Sequence, residues 1–265
     1  MERLPEELLV HVVSLTSPPD ACRAAAVSRA FRATADSDAV WSFFLPRNLP
    51  RFAKGELPCK PTSKKGLFRR LSDHPALLPH KLVSMWLDKN TGAKCYMLSA
   101  RSLHISWGDT IDYWEWIKLP SDEIEANNSF REAAQLREVW WLLIRGEIHS
   151  TMLCGNSMYA AYLVFKLAHG FARLDFPFQD ASISVAGGND LTRQVCLQAY
   201  MEDGDAPDDV MVPRKRADGW MEVELGEFYT GEGSYGEVSV TLKETEGGVL
   251  KRGLIVWGIE IRTKQ

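Results

Sequence analysis

The sequence predicts an α+β chain in two parts: a small N-terminal helical unit, then an antiparallel β-sandwich of jelly-roll-like form. Apolar residues recur with helical spacing up to about residue 46, and with the two-residue period of half-buried strands from about residue 94. Prolines interrupt both patterns in between. We therefore expect a helical unit at 1–46, a partly helical connector at 47–93 and the sandwich at 94–265.

The helical unit carries clear start signals for short helices. Pro5 suits a first helical turn, where its missing N–H is not needed. Ser17, followed by two prolines, can cap a second helix and Ser28 a third that carries Phe31, while 38–45 predicts a fourth. The apolar face of the first helix comprises Leu8, Leu9, Val12 and Val13.

This helical unit is small for an independent domain. About 40 residues with few large aliphatic side chains bury little apolar surface, so such units usually need a partner. We expect its Leu, Val and Trp side chains, including Trp41, to be covered by another protein.

The connector contains a short basic segment and an aliphatic end. Residues 64–71 predict a basic helix, whose charges are interpreted as a solvated face. The aliphatic and aromatic residues between Leu77 and Leu87 are predicted to dock on the sandwich.

The third segment alternates like a set of short strands. Leu103, Ile105 and Trp107 alternate with polar residues, and 159–165 is rich in strand-forming residues. Clusters of Gly, Asp and Pro separate the strands, as in a sandwich. Further strands are predicted at 137–148, 181–186, 194–200, 220–225, 236–243 and 254–262.

Composition excludes several partners and compartments. The net charge of −4 does not favour nucleic acid, and no apolar run approaches the roughly 18 residues of a membrane span. Five widely spaced cysteines without Cys-x-x-Cys indicate reduced thiols, and the acidic N-terminal stretch is unlike a secretory signal. We expect a protein of the cytoplasm, the nucleus or both.

Motifs for catalysis or cofactors are weak. Gly231-x-Gly233-x-x-Gly236 lies between two predicted strands, so a hairpin loop is favoured over a dinucleotide site. No histidine spacing suits a metal, and no Gly-x-Ser-x-Gly elbow occurs. A distant pair of glycosidase carboxylates stays open, but nothing selects one. We predict no catalytic residue, cofactor or metal.

A cluster of aromatic and acidic residues at 107–116 is the strongest candidate binding site. Aromatic rings stack on the C–H faces of sugars, and the interleaved Asp109, Asp112 and Glu115 can bond hydroxyl groups. Trp107 shares its face with Leu103 and Ile105, so a core role is a strong alternative for it. Trp114 follows turn-forming residues, and we expect it to be the more exposed.

Residues 4–46 resemble an F-box. The matching features are the Leu-Pro-x-x-Leu opening, a Pro/Asp turn and a closing Trp; Phe31 stands where the family usually has Trp. The resemblance implies docking on the Skp-type adaptor of a cullin–RING ubiquitin ligase of the SCF type. The implied adaptor-binding residues are Leu4, Pro5, Leu8, Leu9, Val12, Val13, Phe31 and Trp41.

Residues 94–262 resemble the plant phloem protein 2 family, whose lectin prototype is Nictaba. KCYMLSARSLHISWGDTIDYWEW, LREVWWLLIRGEI, YAAYLVFKL and GLIVWGIEIR carry the resemblance in order along the segment. It implies binding of chitin oligomers or the N-glycan core through Trp107 and Trp114. An insertion at 123–132 follows the aromatic cluster and could reshape that site.

Together these features predict a substrate receptor without bond chemistry of its own, which holds a glycoprotein near the ligase. Two alternatives keep the same fold: a receptor for a non-glycosylated protein, and a stress-related cytosolic lectin.

Overall fold

The computed structural model describes residues 5–57, 63–120, 130–185, 191–198, 207–233, 235–246 and 248–264. Helices come first and strands follow. The helices are α1 (Glu6–Ser14), α2 (Pro18–Ala24), α3 (Arg29–Ala35), α4 (Asp38–Phe44) and α5 (Lys64–Asp73). The strands are β1 (Ala76–Leu77), β2 (Val83–Leu87), β3 (Lys94–Ser99), β4 (His104–Ile105), β5 (Trp114–Lys118), β6 (Glu132–Leu136), β7 (Leu142–His149), β8 (Ser157–Ala172), β9 (Gln179–Val185), β10 (Leu191–Val195), β11 (Val210–Met211), β12 (Arg214–Lys215), β13 (Met221–Thr230), β14 (Glu237–Glu244) and β15 (Arg252–Thr263).

The helices begin at the serines that the sequence suggests. The Asp20 N–H donates to Ser17 Oγ over 3.3 Å, and the Phe31 N–H donates to Ser28 Oγ over 3.3 Å. Ser63 caps α5 in the same way, so the basic segment is helical as predicted.

Two sheets pack face to face, and the pairing is antiparallel except between β10 and β11. Among the described residues the larger sheet has the order β1-β2-β3-β15-β8-β13-β12, and β6 joins β15 and β5. The smaller sheet has the order β11-β10-β9-β14-β7-β4. The predicted α+β class with a β-sandwich is confirmed.

The helical unit and the sandwich share one continuous core. Trp41 is 2% exposed, and its ring centroid lies 5.0 Å from that of Phe68 in α5. Val13 and Phe44 belong to the same buried cluster as the residues between the two sheets. The expectation that Trp41 needs a partner protein is wrong, because α5 of the same chain covers it.

The end of the predicted connector is part of the larger sheet. β2 pairs with β3 from Val83↔Leu98 to Leu87↔Lys94, so the chain adds a strand there instead of merely docking. In the turn that joins them, Gly92 has a φ of 76°, and an added Cβ would lie 2.3 Å from the Phe44 carbonyl oxygen. This contact seats α4 on the sandwich. The exact division at residues 47–93 stays a prediction.

Two local predictions fail for identifiable reasons. The alternation over 102–107 ends after Ile105, because Trp107 has a φ of 56° and starts a turn. The glycine-rich segment after Thr230 joins β13 of the larger sheet to β14 of the smaller one, so it is a crossover and not a hairpin. No helix follows it, which leaves the dinucleotide interpretation unsupported.

Candidate functional site

The aromatic cluster folds as two consecutive turns between β4 and β5. The Gly108 N–H donates to the Ile105 carbonyl over 2.9 Å, and the Thr110 N–H donates to the Trp107 carbonyl over 2.8 Å. The N–H groups of Tyr113 and Trp114 then both donate to the Thr110 carbonyl. These bonds satisfy the backbone of a segment that has left the sheet.

Trp107 is the exposed tryptophan of this segment. Its side chain is 48% exposed, and its ring lies 5.7 Å from the Tyr113 ring at an angle of 52°. A positive φ is costly for a bulky residue and is commonly found where the surroundings enforce a functional geometry. The left-handed backbone turns this side chain out of the core that Leu103 and Ile105 join.

Trp114 and Trp116 hold the turn from beneath. Trp114 is 2% exposed and donates its indole N–H to the Ser106 carbonyl over 3.1 Å. Trp116 donates to the Gly108 carbonyl over 3.0 Å. The expectation of an exposed Trp114 and a core Trp107 is therefore reversed, and Trp114 acts here as a positioning residue for Trp107.

Two further exposed tryptophans flank the turn. Trp140 is 57% exposed and Trp141 48% exposed, just before β7. The segment from Arg137 to Leu143 is hydrogen-bonded to the turn at both ends. The Arg137 N–H donates to the Tyr113 carbonyl, and the Ser106 N–H donates to the Leu143 carbonyl. The segment therefore follows the edge of the turn. We call the side chains of Trp107, Tyr113, Trp140 and Trp141 the aromatic rim.

A buried lysine anchors the second half of the aromatic rim. Lys251 is fully buried, pairs with Glu244 and donates from Nζ to the Trp140 carbonyl over 2.8 Å. Its backbone also exchanges both hydrogen bonds with Val139. The backbone that leads into the tryptophan pair is thus held by hydrogen bonds to a buried residue.

The adjacent Trp140 and Trp141 are themselves a sequence signal for this second pair, which hydrophobic periodicity does not reveal. In the strand predicted at 137–148, an adjacent tryptophan pair would send one ring away from the core. Both tryptophans are exposed because β7 begins only at Leu142. The three acidic residues of the cluster differ in their surroundings. Asp109 and Asp112 are exposed, whereas Glu115 pairs with Arg137 over 3.0 Å.

A second candidate surface lies on α1. Leu8 is 51% exposed and Val12 53% exposed, and both lie on one stripe because they are four residues apart. Pro5 precedes them and Leu15 follows, both exposed. We call Pro5, Leu8, Val12 and Leu15 the docking face.

The other predicted adaptor-binding residues lie elsewhere. Leu9 and Val13 are buried on the opposite side of α1, and Phe31 is half-buried against the core. Trp41 is buried and donates its indole N–H to the Ala35 carbonyl over 2.6 Å. Leu4 lies outside the described residues. Two exposed apolar side chains of the helical unit, Val27 and Phe43, were not singled out from the sequence.

Metal-binding clusters and membrane-spanning helices are both absent from the described residues. Among them, no group of three or more His, Cys, Asp or Glu side chains is arranged to hold a metal ion. In the same part of the chain, no helix is long and apolar enough to cross a membrane.

Two family models match the chain. The phloem protein 2 model matches residues 93–263, and an F-box-like model matches residues 1–46.

Relatives match the chain over nearly its whole length. F-box protein PP2-B10 of Arabidopsis thaliana is 37% identical over 98% of this chain and 93% of its own length. The putative F-box protein PP2-B12 of the same plant is 38% identical over 99% and 97%. F-box protein VBF, also from that plant, is 33% identical over the full length of both.

Solved structures give only distant likenesses. TmCBM61 in complex with β-1,4-galactotriose covers 63% of this chain and 91% of its own, with 10% identity and a TM-score of 0.34. The xylan-binding CBM22-1 domain of Xyn10C from Paenibacillus barcinonensis reaches 14% identity and a TM-score of 0.32, over 62% and 87%. Scores this low do not bear on the ligand. The family rests on the sequence matches: this chain is a member of the F-box proteins that carry a phloem protein 2 domain.

Proposed function

We propose that this protein is a substrate receptor of an SCF-type cullin–RING ubiquitin ligase. The docking face binds the Skp-type adaptor, which connects the chain to the cullin, and the aromatic rim captures the target. The receptor performs no bond chemistry; it raises the concentration of substrate near the ubiquitin carrier. We propose that it works in the cytoplasm, the nucleus or both, in keeping with its odd number of widely spaced cysteines.

Exposed aliphatic side chains support adaptor docking. Leu8 and Val12 of α1, and Leu15 directly after it, are all at least half exposed although they are apolar, and the other side of α1 is buried. Contiguous exposed apolar side chains of this kind are typical of a protein interface. The refined adaptor-binding set is the docking face, with Leu9, Val13, Phe31 and Trp41 shaping the helical unit behind it.

One observation carries the proposal that the target is a glycan. Trp107 is exposed in a left-handed backbone conformation, and the indole groups of Trp114 and Trp116 bond the carbonyls on either side of it. The turn therefore holds an exposed aromatic side chain in the same segment as the exposed Asp109 and Asp112. An N-glycan or another chain containing N-acetylglucosamine would use both, stacking on the ring and bonding through hydroxyls.

The size of the aromatic rim favours a second candidate. Ile111, in the same segment as Trp107, is 69% exposed, and the Trp140–Trp141 pair adds further apolar surface. Rigid exposed tryptophans are frequent anchors of protein interfaces. In this alternative the protein is still a ligase receptor, but its target is a non-glycosylated protein; a stress-related lectin is the third alternative.

A glycan array tests the target class. The full chain should be used, because β2 and the helical unit are built into the sandwich. We expect binding to chitin oligomers or N-glycan cores that Trp107→Ala abolishes and Phe43→Ala, which removes an exposed ring from α4, leaves unchanged. If the folded chain binds no glycan, the proposal of a non-glycosylated protein target replaces the proposal of a glycan.

A further inference from the structure

A groove opens where the larger sheet divides into two branches. One edge of β15 pairs with β3 at 258–261 and with β6 at 255–256, so these two strands lead away from β15 at different places. A groove of about 760 Å³ lies between the segments that adjoin the two branches. The Arg101–Glu132 ion pair, 2.8 Å long, joins the branches. The described lining of the groove shares no residue with the aromatic rim or the docking face.

Cationic side chains outnumber carboxylates in this groove. Among the described lining residues, two carry carboxylates: Glu132 is paired with Arg101, and Glu56 accepts a hydrogen bond from the Leu77 N–H over 3.1 Å. The described lining contributes four cationic side chains, which are those of Lys81, Arg101, Lys118 and Arg131. The groove is therefore electropositive in a chain whose net charge is −4.

Three of these cations have no partner in the part of the chain that the structure describes. No ion pair or side-chain hydrogen bond there engages Lys81, Lys118 or Arg131. Elsewhere on the same sheet cations are paired, since three arginines surround Glu222. Unpaired charges of one sign that line a concave site raise the local concentration of oppositely charged ligands. The groove is therefore suited to an anionic partner.

One wall of the groove is a turn with an unusual backbone. His80 has a φ of 70° and Lys81 a φ of 57°, so two consecutive residues other than glycine are left-handed. Such conformations are costly and are commonly kept where the surroundings enforce a functional geometry. Leu82, the next residue, is 40% exposed and also lines the groove. The turn therefore contributes both a cation and an exposed aliphatic side chain to the groove.

We propose that this groove binds an acidic peptide segment of a partner protein. Carboxylates of the segment meet Lys81, Lys118 and Arg131, and an apolar side chain meets Leu82. The groove is large for a single small anion, and its cations stand on both branches, so a chain with several carboxylates fits it better. Trp116, which holds the turn of the aromatic rim, lies two residues before Lys118 on β5. A target held at the rim can therefore extend into the groove; only this last step rests on the proposed function.

Peptide binding to the full chain tests the proposal. Fluorescence anisotropy follows a labelled twelve-residue peptide with the repeat Glu-Glu-Leu, beside a matched Gln-Gln-Leu peptide and an oligouridylate of twelve nucleotides. We expect saturable binding of the acidic peptide that added salt weakens, and binding of the neutral peptide that is about tenfold weaker. Absence of binding by the acidic peptide, or equal binding by the neutral one, overturns the proposal. Tighter binding of the oligouridylate overturns it in favour of a nucleic acid.

Matched variants locate the peptide in the groove. Lys81→Gln with Lys118→Gln should weaken the affinity for the acidic peptide by about fivefold. Lys215→Gln with Lys243→Gln makes the same change of charge at exposed lysines outside the groove, and should leave the affinity within about twofold. Equal losses in the two double variants would indicate attraction by net charge alone and overturn the proposal. Trp107→Ala should not alter peptide binding, so a silent glycan array refutes the glycan target and leaves the groove standing.

Discussion

The docking face of α1 and the aromatic rim of the sandwich differ in what keeps their side chains exposed. On α1, exposed Leu8 and Val12 alternate with buried Leu9 and Val13 because helix geometry places them on opposite sides. In the aromatic rim, Trp107 is exposed because its backbone is left-handed, and buried indoles hold it there. Spacing alone therefore defines the first surface, whereas the second depends on a hydrogen-bonded turn.

The largest expected effect separates the two tryptophans of the turn. Trp114→Ala should lower the free energy of unfolding by about 3–5 kcal/mol, because it empties a core site and frees the Ser106 carbonyl. Trp107→Ala should change it by about 0.5 kcal/mol or less, since the side chain is half exposed. Urea unfolding followed by circular dichroism measures both. Equal losses of unfolding free energy in the two variants would contradict a core role for Trp114 and a surface role for Trp107.

Acid should distinguish the sandwich from the helical unit. Burial alone would raise the pKa of Glu222, but hydrogen bonds and charge interactions with Arg262, Arg214 and Arg216 lower it to about 2. A depressed pKa stabilises the fold above the ordinary pKa of the group, and this contribution is lost as the pH falls towards the folded value. In the helical unit, the Asp20–Arg23 pair is exposed and contributes little.

We therefore expect the free energy of unfolding to fall between about pH 4.5 and pH 2, by up to about 3 kcal/mol from Glu222. Urea midpoints across this range give the profile. Glu222→Gln should flatten it, whereas Asp20→Asn should leave it as it is. An identical acid limb in Glu222→Gln would show that this carboxylate does not govern the loss.

The contact between the helical unit and the sandwich can be weakened at Gly92. Gly92→Ala adds a Cβ 2.3 Å from the Phe44 carbonyl oxygen at a φ of 76°, and should cost about 1–3 kcal/mol. Gly55 is the control, because its φ is 90° but the space around it is open, so alanine there meets only the conformational cost. Thermal unfolding of both variants should rank Gly92→Ala as the less stable. The reverse order would argue against the contact between α4 and the turn.

The smallest expected effect concerns the outer part of the aromatic rim. Trp140→Ala should weaken glycan binding by about fivefold, equivalent to about 1 kcal/mol, and leave stability unchanged because the ring is 57% exposed. Titration calorimetry with the best glycan of the array provides the affinity. Val27→Ala serves as the control, since it trims an exposed apolar side chain of the helical unit. No loss of affinity in Trp140→Ala would confine the site to Trp107 and its turn.

Much of the fold follows from local sequence signals. The serine caps at Ser17 and Ser28 and the alternation over 159–165 correspond to observed elements, because caps and periodicity depend on neighbouring residues. The strand β2 was interpreted as a docked connector. Its inclusion in the sheet depends on pairing with β3, and on the fit of Gly92 against α4, which no short window reveals.

The candidate site was less predictable than the fold. The aromatic cluster marked the correct segment, yet exposure within it depends on the backbone of one residue, Trp107, and on two indole hydrogen bonds. Trp41 likewise depends on α5, which lies more than 20 residues further along the chain. Contacts between distant segments decide which apolar residues are buried, and periodicity carries no information about them.

The most direct test of the central claim is a bridging experiment. A glycoprotein that displays N-glycan cores is immobilised, and recruitment of the Skp-type adaptor by the full chain is measured. We predict that the intact chain recruits the adaptor. Leu8→Asp with Val12→Asp should keep glycoprotein binding and lose the adaptor, while Trp107→Ala should bind the adaptor in solution and fail to reach the glycoprotein. Adaptor recruitment that survives both changes would contradict the proposed receptor.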